Sequence, residues 1–341
     1  MRNSAHERHS SDQFPPCPVQ RTGAPNEESA STRVAICVCT CKRPKMLQRC
    51  LRSLGKQLAP PDLQLSIIVI DNDPAGSARA VVMDCAKAAS FSVRYVHEPR
   101  RGIAIARNAA LDAAIGAGAD WIAFIDDDEW AEPDWISELM APEYLDTPVL
   151  QGTRVFEYPQ PRPFWVLPDN GPWRGKEGKI CKTASTANVR FSVGLALEGL
   201  RFDERIGSGG GEDQQFFAEA YRRGWAIRKT GKAVTTETMH PARLTYFGQA
   251  YRAYWQAAGN VRLLAAEKGW FTVALRKAAA IPWLLAIGSA EVLVSPLFIV
   301  AGINAWKRRM LAGGRKIAKG LGGAIAMLGL MPQPYRVIVG H

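Results

Sequence analysis

Three consecutive carboxylates, Asp126, Asp127 and Asp128, follow directly on the apolar run Trp121-Ile-Ala-Phe-Ile125. Adjacent carboxylates raise one another's cost of ionisation, and a hard divalent cation that takes oxygen ligands relieves it. Along an extended chain side chains alternate, so Asp126 and Asp128 are expected to point one way and Asp127 the other. The same triplet also suits a solvated acidic turn before the helix expected near Pro133. A second acidic pair, Glu212-Asp213, follows the run Gly207-Ser-Gly-Gly-Gly211 and precedes a helical pattern from Gln214 to Arg222. A carboxylate at a helix start is ordinarily a cap, and an ionised carboxylate beside a bound hydroxyl is also what a general base requires.

The elements that must position these groups can be read from periodicity. Arg33 to Thr40, Leu65 to Ile70, Val93 to Val96 and Ile122 to Ile125 are short, branched and apolar, and read as buried strands. Helical patterns follow the first three: one marked by Met46, Leu47, Leu51 and Leu54, one from Ala78 to Ala89, and one from Gly102 to Ile115. This alternation predicts an α/β fold, a mostly parallel, Rossmann-like sheet flanked by helices. In such sheets ligands bind outside the carboxyl ends of the strands. Every polar cluster falls there: Thr40, Lys42 and Arg43, then Asp71 and Asp73, then Arg101 and Arg107, then the triplet. Such a mixture suits a ligand with a base and ribose to be hydrogen-bonded and a diphosphate to be neutralised. Each cluster taken singly could equally be a set of surface turn residues.

Further on, Gln151 to Phe156 and Thr183 to Phe191 read as strands, the second interrupted by Asn188. Between them the proline-rich stretch Tyr158 to Gly178 carries Phe164, Trp165 and Trp173, which suit either a lid over a flat ligand or a plug in the core. Cys37, Cys39 and Cys41 alternate on the first strand and read as core thiols, since three thiols at that spacing do not converge on one ion. The chain has 341 residues, a net charge of +11 and seven cysteines. The charge implies an anionic partner, and the lack of a zinc-finger, helix-turn-helix or basic–aromatic pattern excludes nucleic acid. The odd cysteine count and an N-terminal region without an apolar core point to a reducing, cytoplasmic setting.

The motifs in order are Val34-Ala-Ile-Cys-Val-Cys-Thr-Cys-Lys-Arg-Pro44, Val69-Ile-Asp-Asn-Asp73, Arg101-Gly-Ile-Ala-Ile-Ala-Arg-Asn108, Phe124-Ile-Asp-Asp-Asp128, Phe202-Asp-Glu204 and Gly210-Gly-Glu-Asp213. Together they resemble family 2 glycosyltransferases of the GT-A fold, closest to the bacterial succinoglycan glucosyltransferase branch. The likeness runs from about Val34 to about Tyr254. It implies a nucleotide-sugar donor, UDP-linked, a divalent cation (Mn2+ or Mg2+), and inverting transfer to a saccharide acceptor, nascent or lipid-linked. Thr40 and Asp71 would bind the base, Lys42, Arg43 and Arg107 the base or diphosphate, Asp126 the ribose or metal, and Asp128 the metal. Asp213, with Glu212 beside it, would be the catalytic base. Relatives commonly carry Asp-Asp-Gly-Ser where this chain has Asp71-Asn-Asp-Pro74, which leaves the base contact to Asp71 or Asp73. His240, between Glu237 and Arg243, would be a metal or diphosphate contact, or a surface histidine before Pro241.

The resemblance implies a GT-A domain over 33–245, with a nucleotide-binding half at 33–130 and an acceptor half at 131–245. Residues 1–32, rich in Ser, Pro, Glu and Arg without periodicity, are expected to be a disordered tail. Residues 246–341 are expected to form a helical, membrane-associated region. Tyr246 to Leu264 reads as an amphipathic helix bordering the acceptor. Ala278 to Trp306 is long and apolar enough to span a bilayer, yet it carries Pro282, Glu291 and Pro296 and has Arg276-Lys277 before it and Lys307-Arg-Arg309 after it. That pattern favours a broken, re-entrant or interfacial hairpin over a span. Leu311 to Met331, with Arg315, Lys316 and Lys319, suits a helix lying on an anionic surface, the cytoplasmic face of the membrane. The alternative is a helical extension of the enzyme core. A competing reading of the whole chain is a catalytically silent GT-A-like scaffold protein in a polysaccharide assembly complex.

Overall fold

Branched and apolar side chains that can be buried on both faces build the first half of the sheet. In the computed structural model, β1 (Thr32–Thr40) leads through α1 (Pro44–Leu54) to β2 (Leu63–Asp71), α2 (Arg79–Ala88), β3 (Ser92–His97), α3 (Ile103–Gly116) and β4 (Trp121–Ile125). The structure describes residues 31–330 apart from 90, 160, 164–165, 167–174 and 207–208, together with 332. Nearly all of the expected N-terminal tail, and Phe164, Trp165 and Trp173 of the expected lid, lie outside the described residues. β1 pairs in parallel with β2 and β4, and β2 with β3, so the four strands end on one rim with Thr40 beside Asp71.

The second half is mixed. After β4 come β5 (Glu129–Ala131), α4 (Trp135–Leu139), β6 (Val149–Glu157), β7 (Lys179–Cys181), β8 (Asn188–Ser192), α5 (Gly194–Leu197), α6 (Glu212–Arg222) and β9 (Ile227–Thr238). Among the described residues the sheet has nine strands in the order β3-β2-β1-β4-β8-β6-β9-β5, with β7 also on β9. β8 runs antiparallel to both β4 and β6, whereas β6 and β9 run parallel. The strand expected from Thr183 starts only at Asn188, which knots the sheet to α4 rather than interrupting it. Its Oδ1 accepts from Trp135 Nε1 at 2.8 Å, and its Nδ2 donates to the carbonyls of Thr153 at 3.0 Å and Ala233 at 2.9 Å.

Helices cover both faces. One core gathers Phe124, Phe191, Phe202, Phe216 and Phe217 under α3 and α6, and the other gathers Val34, Leu47, Leu54 and Trp135 under α1 and α4. Cys37 belongs to the first core and Cys50 to the second, in keeping with thiols used as small apolar residues.

Beyond β9, α7 (Pro241–Leu244) leads into three long helices, α8 (Tyr246–Lys268), α9 (Trp270–Val294) and α10 (Ile303–Met327). α9 passes through Pro282 without a break and continues as a 3-10 helix from Ser295 to Ala301. The expected break falls late in the apolar stretch: beyond Val294 the helix tightens at Ser295-Pro296, and the chain reverses at Gly302, whose φ of 108° is left to glycine. α10 then returns antiparallel to α9, closing a helical hairpin.

Candidate active site

The strand alternation expected of the acidic triplet stops at Ile125. Residues 126–129 form a turn, with Glu129 N donating to Asp126 O at 3.2 Å, and this brings Asp127 and Asp128 to one guanidinium. Asp127 is buried, taking a hydrogen bond from Thr40 Oγ1 at 2.7 Å and one from Arg43 Nη1 at 3.1 Å. Asp128 lies 3.3 Å from the same Arg43 Nη1 and stays partly open. Asp126 lies on the other side, 3.8 Å from Arg107 Nη2, with its side chain 37 % exposed. The protein packed around its inner side raises Asp126 above the usual carboxylate range, against the pull of Arg107 and with Asp128 adding to the rise, while its open side keeps the rise smaller than full burial would give. Burial raises Asp127 to about 7, partly offset by Arg43 and reinforced by Asp128. Asp126 and Asp127, crowded into one turn with a third carboxylate, thus resist ionisation unless a cation joins them.

Arg107, buried on α3, ties the triplet to the second acidic pair. Its Nη1 bonds Glu212 Oε1, so one guanidinium joins Asp126 of β4's turn to Glu212 of α6. The helix is delivered there by Gly210 and Gly211, at φ 72° and 85°, a conformation that L side chains resist. α6 accordingly begins at Glu212, two residues before the pattern predicted, because the glycine turn lets the acidic pair form its first turn. Asp213 is only part-buried, and its Oδ1 accepts from Gln214 N at 2.7 Å. Asn108 clips the Phe202-Asp-Glu204 motif onto α3: Nδ2 donates to Phe202 O and Glu204 Oε1, both at 3.0 Å, while Oδ1 accepts from Phe202 N at 2.9 Å.

The β2 end forms the adjoining floor. Asp71 is fully buried, its carboxylate accepting from Asp73 N at 3.1 Å, Ala78 N at 2.8 Å and Tyr95 Oη at 3.1 Å. Asp73 is nearly as buried; burial works against its charge, but hydrogen bonds from Ser77 and Ala75 and the nearby Lys42 and Arg101 hold it below the usual carboxylate range. Lys42 is exposed and adopts φ 57°, a left-handed turn where β1 leaves the sheet. Asn72 fixes the segment that carries Arg101, donating to Glu98 O at 2.9 Å and Arg100 O at 2.7 Å and accepting from Gly102 N at 2.9 Å.

Several residues that shape the site were not singled out from the sequence. β5 and β9 place Glu129 directly opposite Glu237, and Arg154 of β6 stands between them, 3.3 Å from Glu129 and 3.1 Å from Glu237. Burial raises Glu129 well above its usual range despite Arg154. Glu129 follows the triplet immediately, but its partner is visible only through strand register. Arg262 of α8 donates to Gly210 O at 2.5 Å and so reaches the acidic loop from the C-terminal helices. No local pattern announces that contact. His240 caps α7, its Nδ1 accepting from Ala242 N at 3.1 Å.

Among the described residues, no group of three His, Cys, Asp or Glu side chains is gathered to hold a metal ion alone. Asp128 or Asp126 could nonetheless contribute to a divalent site, since Mg2+-type sites use one or two carboxylates together with phosphate oxygens of the substrate. The raised Asp126 is the observation that favours such a site. The rim therefore offers carboxylates for a cation, guanidinium and ammonium groups for an anionic leaving group, and an accessible carboxylate at a helix start for proton removal.

The sequence profile of the family Glycosyl transferase family 2 matches residues 35–193. The chain is similar to the succinoglycan biosynthesis protein ExoM of Rhizobium meliloti (strain 1021), 32% identical over 274 residues that cover 78% of this chain and 83% of that protein. Among solved structures it resembles the mannosyltransferase PcManGT from Pyrobaculum calidifontis in complex with GDP-Man and Mn2+, with a TM-score of 0.54, 16% identity, and coverage of 86% of this chain and 87% of the other. TarS 1-349 of S. aureus gives a TM-score of 0.50 and 16% identity, covering 89% of this chain and 93% of that one. The two structural likenesses establish a GT-A fold, and the identity to ExoM over most of both chains goes further: the protein is a glycosyltransferase belonging to glycosyl transferase family 2.

Proposed function

We propose that this glycosyltransferase is inverting and metal-dependent, moving a sugar from a nucleotide-sugar donor to a lipid-linked or nascent saccharide in cell-surface or exopolysaccharide synthesis. The observation that carries the reading is the link across the rim, in which Arg107 joins Asp126 to the loop that presents Asp213. The part of ExoM in succinoglycan biosynthesis supports the product class. The donor is taken to be UDP-linked, and the complex of PcManGT makes GDP-mannose the second donor to try.

In this reading residues 33–130 bind the nucleotide, 131–245 receive the acceptor, and 246–341 associate with the cytoplasmic face of the membrane. Lys42, Asp71 or Asp73 and Thr40 surround the base, and Arg43 and Arg107 fix the carboxylates beside the diphosphate. Asp128 and Asp126 would hold the cation, with His240 a further candidate ligand. Bound there, the cation would supply positive charge for the departing diphosphate. Asp213 takes the proton from the acceptor hydroxyl as its oxygen attacks the anomeric carbon from the face opposite the diphosphate. The bond from that carbon to the phosphate oxygen breaks, the electron pair leaves with the nucleoside diphosphate, and configuration inverts. Glu212, spent on Arg107, orients the loop rather than taking the proton.

The test is a panel of nucleotide sugars with Mn2+ or Mg2+, read as release of nucleoside diphosphate. One donor should turn over, and chelation or Asp128→Ala should abolish both turnover and metal-dependent donor binding. Manganese-dependent affinity retained in Asp128→Ala would sink the metal assignment. Donor binding without turnover, whatever acceptor is supplied, would favour the silent scaffold.

A further inference from the structure

The C-terminal helices pose a problem of geometry. Trp270 to Ala301 forms a run of 32 residues with a hydropathy of 2.1 in its most apolar window, of which 11% is buried. Taken alone, such a helix would cross a bilayer. Its outward face carries Phe271 at 75% exposure, Leu275 at 63%, Trp283 at 66%, Leu293 at 79%, Leu297 at 73% and Val300 at 96%. Water is a poor solvent for so continuous a stripe, and exposed apolar patches of this kind mark an interaction surface.

The packing on the other face works against crossing. α9 meets α10 at glycines: a Cβ on Gly288 would come within 2.8 Å of Gly313 O, and one on Gly313 within 2.7 Å of Gly288 O. Glu291, the acidic residue inside the apolar run, is turned inward, where it bonds Lys316 and lies 3.7 Å from Arg309. α10 is in turn fastened along α8. Tyr246 Oη donates to Met310 O at 2.8 Å, Arg315 Nη2 donates to Gln249 Oε1 at 2.6 Å, and Gly322 packs on the Tyr254 carbonyl. Ala258 and Val261 of α8, Val273 of α9 and Ala326 of α10 close one small core. α8 itself is fixed to the catalytic loop through Arg262 and Gly210. For α9 to cross a bilayer it would have to leave α10, strand Glu291 in hydrocarbon, and carry Lys307, Arg308 and Arg309 to the far side.

We infer that α8, α9, the Ser295–Ala301 helix and α10 form one rigid layer that lies flat on a single anionic leaflet, with α9 in the plane of the membrane and not across it. The inference rests on the reading of 246–341 as membrane-associated and adds its disposition. Charge selects lipid over a second copy of the chain as the occupant. The net charge is +11, and Arg276, Lys277 and Lys307 flank the apolar stripe, so anionic headgroups are attracted and an identical surface is repelled. An in-plane helix with an apolar face outward and basic residues at its borders is the arrangement expected of interfacial binding. Through Arg262 the layer would also hold the Asp213 loop at a fixed place relative to the membrane, where a lipid-linked acceptor arrives laterally.

The experiment uses the full chain. It should co-sediment with vesicles of phosphatidylglycerol and phosphatidylethanolamine and remain in the supernatant with phosphatidylcholine. Replacing Trp283, Leu293 and Leu297 by Ser should weaken vesicle binding by about tenfold or more, from the apolar area lost. Release of nucleoside diphosphate in solution should be unchanged, and loss of that activity in the unmodified chain would indict the enzymatic reading alone. In spheroplasts expressing Val300→Cys, a membrane-impermeant maleimide added outside should label no more than the unmodified chain. Labelling from outside would show a crossing and overturn the inference. So would failure to bind anionic vesicles, or a dimer in vesicle-free buffer that shields Trp283 and Leu297.

Discussion

At the scale of single residues, the site separates carboxylates that hold the fold from those free to do chemistry. Asp213 is the accessible member, and its Oδ1 already accepts from Gln214 N. An asparagine can keep that helix-start hydrogen bond while losing basicity. Asp213→Asn should therefore retain donor affinity and lower the transfer rate by about 10²–10⁴; unaltered turnover would return Asp213 to a capping role. Asp127 is the opposite case, held by Thr40 and Arg43 and raised by burial to about 7. Because the folded chain keeps a proton that the unfolded chain releases near the ordinary carboxylate pKa, the folded state binds more protons between roughly pH 4 and pH 7. Stability in that window must fall as pH rises. Asp126, also raised, acts with the same sign. Melting temperatures in chelator should decline from about pH 5 to about pH 8, and Asp127→Asn should flatten the decline. A melting temperature that climbs over this range would contradict the assignment.

Among elements, the decisive one is α6, because two glycines in left-handed geometry and one arginine from α8 decide where its first turn points. Gly211→Ala should strain the turn by about 1–2 kcal/mol, the cost of placing a Cβ in that conformation. Transfer should suffer more than donor binding, measured as a fall in kcat with donor KM unchanged. Arg262→Ala should do the same without backbone strain, and Arg262→Lys should recover part of the loss, since an ammonium can still reach the Gly210 carbonyl. Equal losses in kcat and donor affinity would show general disorder of the site. These elements also mark how far the sequence could be read. The first four strands and three helices were legible because buried parallel strands are uninterrupted apolar runs and the helices between them carry a clear stripe. β5 and β9 were not, since β5 has three residues and β9 carries Lys229, Gly231 and Lys232 among its apolar positions. Missing β9 hid the pairing of Glu129 with Glu237, and with it the role of Arg154. The motif residues were legible as a set; the contacts that arrange them, such as Asn108 on Phe202 and Arg262 on Gly210, depend on tertiary packing with no local signature.

For the whole molecule, charge and apolarity are combined in one surface, and the two can be separated by salt. The sequence made α9 look ambiguous, apolar enough to span but interrupted by Pro282 and Glu291. The structure resolves both interruptions, since the helix accommodates the proline and Glu291 is neutralised by Lys316 and Arg309 within the hairpin. What remains outside is an apolar stripe bordered by cations. Attraction between the basic border and an anionic leaflet is screened beyond a Debye length of about 10 Å at 0.1 M salt and about 3 Å at 1 M, whereas burial of Phe271, Trp283 and Leu297 is not. Binding to phosphatidylglycerol vesicles should accordingly weaken as salt rises to 1 M and level off above zero. Lys307→Gln combined with Arg276→Gln should lower binding at low salt and converge on the unmodified chain at high salt. Complete release at 1 M would mean that the apolar stripe stays out of the lipid, and no salt effect at all would mean that the basic border faces away from it.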